Sequence, residues 1–328
     1  MDARVLWRIG VVLPLLLFAT GANYETDNFS VNAPSAESAR QFAETAEQCR
    51  KDLAILWLGK TLPDWSAKCP IKVHVGNDLG AGGRTSFVFE NGEVFDWEME
   101  IQGSHERILD SVLPHEITHM ILASHFRKPI PRWLDEGMAT SVEHHSEKAN
   151  YRRLLRQCLQ SNVPRCVPLD RMMAMKEYPS DPMPFYAQGF SLVEYLLEWG
   201  RQFGDDEHYR LVRFAQTAMQ GSGWESALQT HYGVQNLEEL QTSWTQWVGS
   251  DINMSVTAPL VVQREPATVL PVVQREPATV LPVVQREPAT VSPVASISAK
   301  PLPPYGKSVY DRQVEPIPTS YGQNTVIR

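Results

Sequence analysis

Cysteine is scarce in this sequence, and its spacing argues against a thiolate metal site. The 328 residues include only Cys49, Cys69, Cys158 and Cys166, with no C-x-x-C pair. Structural zinc sites usually use such closely spaced thiolates. In an exported protein, an even number of cysteines indicates disulfides, and proximity along the chain favours Cys49 with Cys69 and Cys158 with Cys166. Four buried thiols are the alternative.

An excess of positive charge is also absent. The formal net charge is −8 and the pI is about 5.6. Nucleic-acid-binding domains usually carry a basic face, so we expect no nucleic-acid partner. Hydrophobic residues make up 43% and charged residues 21% of the chain, which is ordinary for a globular protein with a sizeable core.

Long apolar runs are missing after the N-terminus. Residues 1–22 contain Arg4 and Arg8, then an apolar run from Ile9 to Phe18, then small residues. This order is typical of a secretory signal peptide, and the run is shorter than the roughly 20 residues of a membrane span. We therefore expect a secreted or periplasmic protein. An uncleaved signal anchor is the alternative, and no other stable membrane span is expected.

The glycines that precede the predicted hairpin do not form a phosphate-binding loop. Gly80, Gly82 and Gly83 are not followed by the Lys and Ser/Thr of a P-loop, and they lead into a predicted strand. A flexible loop before an edge strand is the better interpretation.

The residues before position 104 predict a small α/β layer. Ser35 to Leu58 has apolar residues at helical spacing, with Ser35 as the N-cap and Gly59 after the last turn. Asn91-Gly92 separates two strand-like segments and predicts a β-hairpin turn. The predicted strands are Asn28 to Val31, Ile71 to Val75, Thr85 to Glu90 and Val94 to Ile101.

Residues 104–250 predict a mostly helical part, so the fold class expected for residues 23–250 is α+β. Pro114 lies inside the first of these helices and predicts a kink or a restart there. The predicted helices are Ser104 to His125, Trp133 to Glu147, Tyr151 to Gln160, Ala187 to Trp199, Glu207 to Gln220, Trp224 to Tyr232 and Leu237 to Val248.

The composition changes at residue 251. Residues 251–328 contain 12 of the 24 prolines, and an 11-residue repeat starts at Val261 and Val272, with a near-copy from Val283. Proline removes backbone hydrogen-bond donors, so this stretch predicts an extended, disordered tail. A spacer arm and an unselected repeat expansion both explain it.

The strongest chemical signal is His115-Glu116-Ile117-Thr118-His119, an H-E-x-x-H motif. With 3.6 residues per turn, His115 and His119 lie on one helical face, where two imidazoles can bind one metal ion. Glu116 lies about 100° further around the helix and is placed to act as a general base on a water. The motif therefore predicts a zinc hydrolase, which needs a third protein ligand.

Two residues compete for the third ligand. His125 has the spacing of the metzincin motif, but that motif needs a glycine at position 122, where this chain has Leu122. Glu136 follows in Trp133-Leu-Asp-Glu-Gly137, on the next predicted helix. Glycine there permits close helix packing, so Glu136 is favoured.

With Trp133-Leu-Asp-Glu-Gly137, the sequence resembles the gluzincins, particularly the peptidase-MA-like group and more distantly the aminopeptidase-N-like enzymes. The resemblance covers about residues 104–199 and implies a zinc metallopeptidase that binds Zn²⁺ through His115, His119 and Glu136. Thr140 and Glu143 are candidates to orient a ligand from behind, since they follow Glu136 at helical spacing.

The same resemblance extends to Tyr186-Ala-Gln-Gly-Phe190 and implies that the Tyr186 hydroxyl stabilises the oxyanion. A core tyrosine is the alternative. The G-x-M-E-N segment that holds a substrate amine in aminopeptidases is absent before His115, so aminopeptidase specificity is not implied. The strand from Val94 to Ile101 is instead a candidate edge for pairing with an extended peptide.

The leading hypothesis is a peptidase that acts on peptide or protein substrates. A non-catalytic envelope protein that binds peptide or wall polymer through a zinc-stabilised domain is one alternative. A tail-driven adhesion or spacer protein with a vestigial domain is another. The retained Glu116 favours catalysis, since binding alone needs no base.

Overall fold

The structure is a computed structural model that describes residues 21–160, 166–257 and 326–327. The predicted signal segment and the repeats of the tail lie almost entirely outside these residues. The fold is α+β, as predicted: a small sheet packed on one helix is followed by a mostly helical part. The strands are β1 (Ala22–Glu25), β2 (Phe29–Ala33), β3 (Cys69–Val75), β4 (Gly82–Glu90), β5 (Glu93–Gly103) and β6 (Val326–Ile327).

Ten α-helices are described, together with short π and 3-10 turns at Ile108–Val112, Arg201–Phe203 and Ala218–Ser222. The helices are α1 (Ala36–Leu58), α2 (His105–Arg107), α3 (Leu113–Phe126), α4 (Arg132–Ser141), α5 (His145–Gln160), α6 (Leu169–Ala174), α7 (Pro182–Gly200), α8 (Glu207–Thr217), α9 (Gly223–Tyr232) and α10 (Leu237–Thr257). Of the helices in the described ranges, none has the length and apolar character needed to cross a bilayer.

The sheet has the order β1-β2-β3-β5-β4-β6. Strands β2, β3 and β5 are parallel, whereas β1 and β4 run antiparallel to their neighbours. Asn91 and Gly92 form the hairpin turn with φ of 51° and 77°. The strand predicted from Val94 to Ile101 as an edge has an open side only in its first half. Within the described residues Val94 to Glu98 pair with β4 alone, whereas Met99 to Ile101 also pair with β3.

Strand β4 is the strand with an open side next to the helical part. It pairs with β6 only at Val88 and Phe89. In the described ranges, Gly82 to Ser86 pair with β5 alone. This half of β4 therefore offers backbone groups to an additional strand.

Helix α1 follows its sequence signals. The Ser35 side chain accepts a hydrogen bond from the Ser38 N–H, and Gly59 ends the helix in the left-handed region at φ 67°. Its apolar face, which includes Phe42, Ala46 and Trp57, is fully buried. The helix contacts β1, β2 and α3 and so connects the sheet to the helix that carries the H-E-x-x-H motif.

The helix predicted from Ser104 to His125, with a kink or restart at Pro114, is divided near that proline. A π-helical turn at Ile108–Val112 precedes α3, and Pro114 is in the first turn of α3. The Leu113 N–H still bonds the Ile108 carbonyl of the π turn, whereas Pro114 has no N–H to donate. The regular α-helical hydrogen-bond pattern therefore begins directly before His115.

The predicted single helix from Trp133 to Glu147 was wrong. Helix α4 ends at Ser141 and α5 begins at His145. A turn in which the Glu143 N–H bonds the Thr140 carbonyl, at 3.1 Å, separates them. Glu143 thus lies in a turn and does not follow Glu136 at helical spacing.

Three other boundaries differ from the prediction. Helix α7 begins five residues earlier, at Pro182, with two prolines in its first turn, where proline is favourable. Helix α6 was not predicted. The tail was predicted to begin at residue 251. Helix α10 instead continues to Thr257.

Cys49 and Cys69 are free thiols. Burial raises the pKa of the Cys49 thiol to about 11 and raises that of Cys69 still further. The disulfide predicted between Cys49 and Cys69 is therefore not formed, and the pairing of Cys158 with Cys166 stays a prediction.

Helices α4 and α7 cross at two glycines. A Cβ atom on Gly137 would lie 2.5 Å from the Gly189 carbonyl oxygen, and one on Gly189 would lie 2.5 Å from the Trp133 carbonyl oxygen. These separations are shorter than a van der Waals contact. The two glycines of the sequence motifs therefore allow the backbones of α4 and α7 to touch.

We predict that Gly189→Ala destabilises the protein. The added methyl group would collide with the backbone of α4, and overpacking of this kind costs about 1–3 kcal/mol. Urea unfolding measures the effect. The matched control is Gly249→Ala in α10, where a Cβ atom meets nothing within 4 Å and alanine stabilises the helix by about 1 kcal/mol. Equal stability of Gly189→Ala and wild type would contradict this packing.

Candidate metal centre

Three potential metal ligands meet between α3 and α4. The ligand atoms of His115, His119 and Glu136 all lie within 4.8 Å of one another. Glu136 Oε2 lies 3.6 Å from His115 Nε2 and 3.9 Å from His119 Nε2. The three residues are only 9%, 5% and 1% exposed. The structure thus brings together the three residues that the sequence predicts as ligands.

Each imidazole is held at its other nitrogen by a carboxylate. His115 Nδ1 lies 2.7 Å from Glu143 Oε1, and His119 Nδ1 lies 2.7 Å from Asp135 Oδ1. A hydrogen bond at Nδ1 fixes the tautomer and leaves Nε2 to bind a metal. Glu143 therefore contacts His115 as predicted. Thr140, the other residue predicted to orient a ligand, is buried in α4.

Glu116 faces the sheet. The Thr85 hydroxyl donates a 2.7 Å hydrogen bond to Glu116 Oε2. A Cβ atom on Gly83 would lie 2.6 Å from Glu116 Oε1. Because glycine has no side chain, Gly83 leaves room for the Glu116 carboxylate. Gly83 lies in β4, whereas the sequence predicted a flexible loop there.

The centre concentrates negative charge in a buried place. Four carboxyl groups surround the two imidazoles, and burial raises the pKa of two of them, Glu116 and Glu143. Burial alone would lower the pKa of His115, but its hydrogen bonds to Glu136 and Glu143 raise it well above its usual value. Buried charge requires an opposite charge nearby, so this donor set favours a cation.

Two tyrosines lie beside Glu136. Tyr178 donates a 2.5 Å hydrogen bond from its hydroxyl to Glu136 Oε1. Tyr186, in α7, is 3% exposed, and its ring packs edge-on against Tyr178 at 5.5 Å. Tyr186 is therefore next to the centre, and its proposed contact with an oxyanion stays a prediction.

His125 does not join the centre. Helix α3 continues through Leu122 to Phe126, which places His125 about 15 Å along the helix axis from His115 and about 80° around it. Its Nε2 is buried with no hydrogen-bond partner, and its ring packs edge-on against Phe126 at 4.9 Å. Burial lowers the pKa of His125. These surroundings fit the expectation that Leu122 disfavours the metzincin arrangement.

The donor set suits zinc. Two imidazoles and one carboxylate, with hydrogen-bonded partners behind the imidazoles, are the ligand types that catalytic zinc sites use. Within the described ranges, this is the only group of His, Cys, Asp and Glu residues with such geometry. Fold and site together define the class as a metallohydrolase-like protein.

Comparison with known families agrees with this class. Residues 106–250 match the family model of the Peptidase MA superfamily. This range includes α3, α4 and α7, the helices of the centre. The match supports a gluzincin-like peptidase family and a metallopeptidase-like function. The family match covers less than half of the chain. No curated protein matches the chain. The more distant similarity to aminopeptidase N stays a prediction.

Several residues of the centre were missed in the sequence. Asp135 was visible as the residue before Glu136, but the sequence gives no direction for its side chain. Thr85, Gly83 and Tyr178 come from β4 and from a loop before α7, and only the tertiary fold brings them to the motif.

We predict that Asp135→Asn and Glu143→Gln each weaken zinc binding by about 10–100-fold, because each removes the carboxylate that orients an imidazole. Competition with a chromophoric chelator measures the affinity. Glu147→Gln is the control, since Glu147 is also buried but pairs with Arg107. If all three variants bind zinc like wild type, the carboxylates do not orient the ligands.

Proposed function

We propose that the protein is an exported zinc peptidase. The observation that supports this most is the meeting of His115, His119 and Glu136 within 4.8 Å, with Glu116 beside them. The Peptidase MA superfamily match over residues 106–250 adds a peptide bond as the substrate. The proposal of export rests on residues 1–22 alone, and cell fractionation tests it.

His115, His119 and Glu136 would hold the zinc ion, since Nε2 of both imidazoles and Oε2 of Glu136 lie close together. When bound, zinc supplies Lewis-acid polarisation of the scissile carbonyl and lowers the pKa of a water. Glu143 and Asp135 keep the imidazole N–H groups directed away from the centre, so that both Nε2 atoms are available.

Glu116 is the general base. Its carboxylate removes a proton from the attacking water and then passes the proton to the leaving amine. The Thr85 hydroxyl, 2.7 Å from Oε2, fixes the direction of the carboxylate. Burial raises the pKa of Glu116, which brings its proton affinity closer to that of a base working near neutral pH. Tyr186 donates a hydrogen bond to the carbonyl oxygen as negative charge develops there.

The open part of β4 binds the substrate as an added strand. Gly82 to Ser86 lack a second strand partner in the described ranges, and Gly83 and Thr85 in this stretch contact Glu116. A peptide paired here would pass alongside the general base. The antiparallel pairing of Val88 and Phe89 with β6 illustrates the geometry that this edge accepts.

We predict that Glu116→Gln lowers the rate of peptide cleavage by at least about 100-fold, since a general base contributes roughly 10²–10⁴-fold. Its zinc content should stay near that of wild type, because Glu116 is not a ligand in this proposal. A quenched-fluorescent peptide library provides the assay. Glu44→Gln, at an exposed position of α1, is the control. Full activity of zinc-loaded Glu116→Gln would rule out this mechanism.

The choice of third ligand has its own test. We predict that Glu136→Ala loses most of its bound zinc after dialysis, whereas His125→Ala retains it, because only Glu136 reaches both imidazoles. Elemental analysis of the dialysed full-length proteins measures the metal. Zinc loss in His125→Ala alone would favour the metzincin arrangement instead.

A further inference from the structure

Tyr178 lies outside α3 and α4, and its side chain contacts the proposed ligand Glu136. It lies in the loop between α6 and α7, directly before Pro179. The residue before a proline is largely restricted to extended backbone conformations. This loop position therefore starts with limited backbone freedom.

The two oxygens of Glu136 have different neighbours. Oε2 faces the two imidazoles, at 3.6 Å from His115 Nε2 and 3.9 Å from His119 Nε2. Oε1 accepts the Tyr178 hydroxyl hydrogen bond at 2.5 Å. One oxygen is thus directed to the centre, while the other is occupied by the phenol.

The Tyr178 ring is fixed on one face of α4. Arg132 and Glu136 are four residues apart and so lie on the same helical face. The Arg132 guanidinium is 4.7 Å from the centre of the Tyr178 ring, and the hydroxyl at the far end of the ring reaches Glu136. Edge-on contacts with Tyr186 at 5.5 Å and Phe185 at 6.1 Å hold the ring from α7.

We propose that Tyr178 is a positioning residue for the third ligand, which holds Oε1 of Glu136 and leaves Oε2 alone to bind the metal. The inference rests on the metal site proposed above. Each ligand then has a partner at the atom directed away from the centre: Glu143 for His115, Asp135 for His119 and Tyr178 for Glu136.

Tyr178→Phe in the full-length chain tests this inference, because it removes the hydroxyl and keeps the ring. We expect zinc affinity, measured by chelator competition, to fall by about 10–100-fold, as for other partners of metal ligands. Tyr232→Phe is the matched control, since the Tyr232 hydroxyl is buried with no hydrogen-bond partner and contacts no ligand. It should bind zinc like wild type. The thermal unfolding of both metal-free variants checks that the fold is kept.

Cobalt provides a second readout that a purely structural role would not change. Without Tyr178 the freed Oε1 can join Oε2, which raises the coordination number and weakens the visible absorption bands of the Co²⁺-loaded protein. Weaker bands together with lower zinc affinity support the inference. Wild-type affinity and an unchanged cobalt spectrum in Tyr178→Phe overturn it.

This test separates the inference from the proposed function. Wild-type protein that binds no zinc overturns both proposals. Wild-type protein that binds zinc but cleaves no peptide contradicts the peptidase alone, and the affinities of Tyr178→Phe and Tyr232→Phe still decide the role of Tyr178.

Discussion

The contact between α3 and α4 is the constraint on which the rest of the centre depends. Each helix alone carries an incomplete donor set: two imidazoles on α3 and one carboxylate on α4. Their packing brings Glu136 Oε2 to 3.6 and 3.9 Å from the two Nε2 atoms. Helix α4 also packs against α7 at the crossing of Gly137 and Gly189. Two residues without side chains therefore help to set the ligand geometry.

Burial gives this centre its chemical character. Four carboxyl groups and two imidazoles lie in a region where water is largely excluded, so each must be compensated by a neighbour. The imidazoles pair with Asp135 and Glu143, Glu116 pairs with Thr85, and Glu136 pairs with Tyr178. These pairs leave Nε2 of both histidines and Oε2 of Glu136 directed at one point, which is the arrangement that a divalent cation requires.

The sequence was most informative where the signal is local. The helical spacing of His115 and His119, the Ser35 and Gly59 caps and the Asn91-Gly92 turn each depend on a few neighbouring residues, and the structure has them. It was least informative where distant segments meet. The pairing of β5 with β3, the turn that holds Glu143, and the approach of Thr85 and Tyr178 all depend on tertiary packing. The start of α7 was predicted five residues too late, because Pro182 and Pro184 lie in the first turn of the helix.

We propose that one metal ion is bound by His115, His119 and Glu136. Anomalous diffraction at the zinc edge, on crystals of the zinc-loaded protein, tests it most directly. The account predicts a single strong anomalous peak in contact with Nε2 of both histidines and Oε2 of Glu136. A peak at His125, or zinc bound only at the protein surface, would contradict it.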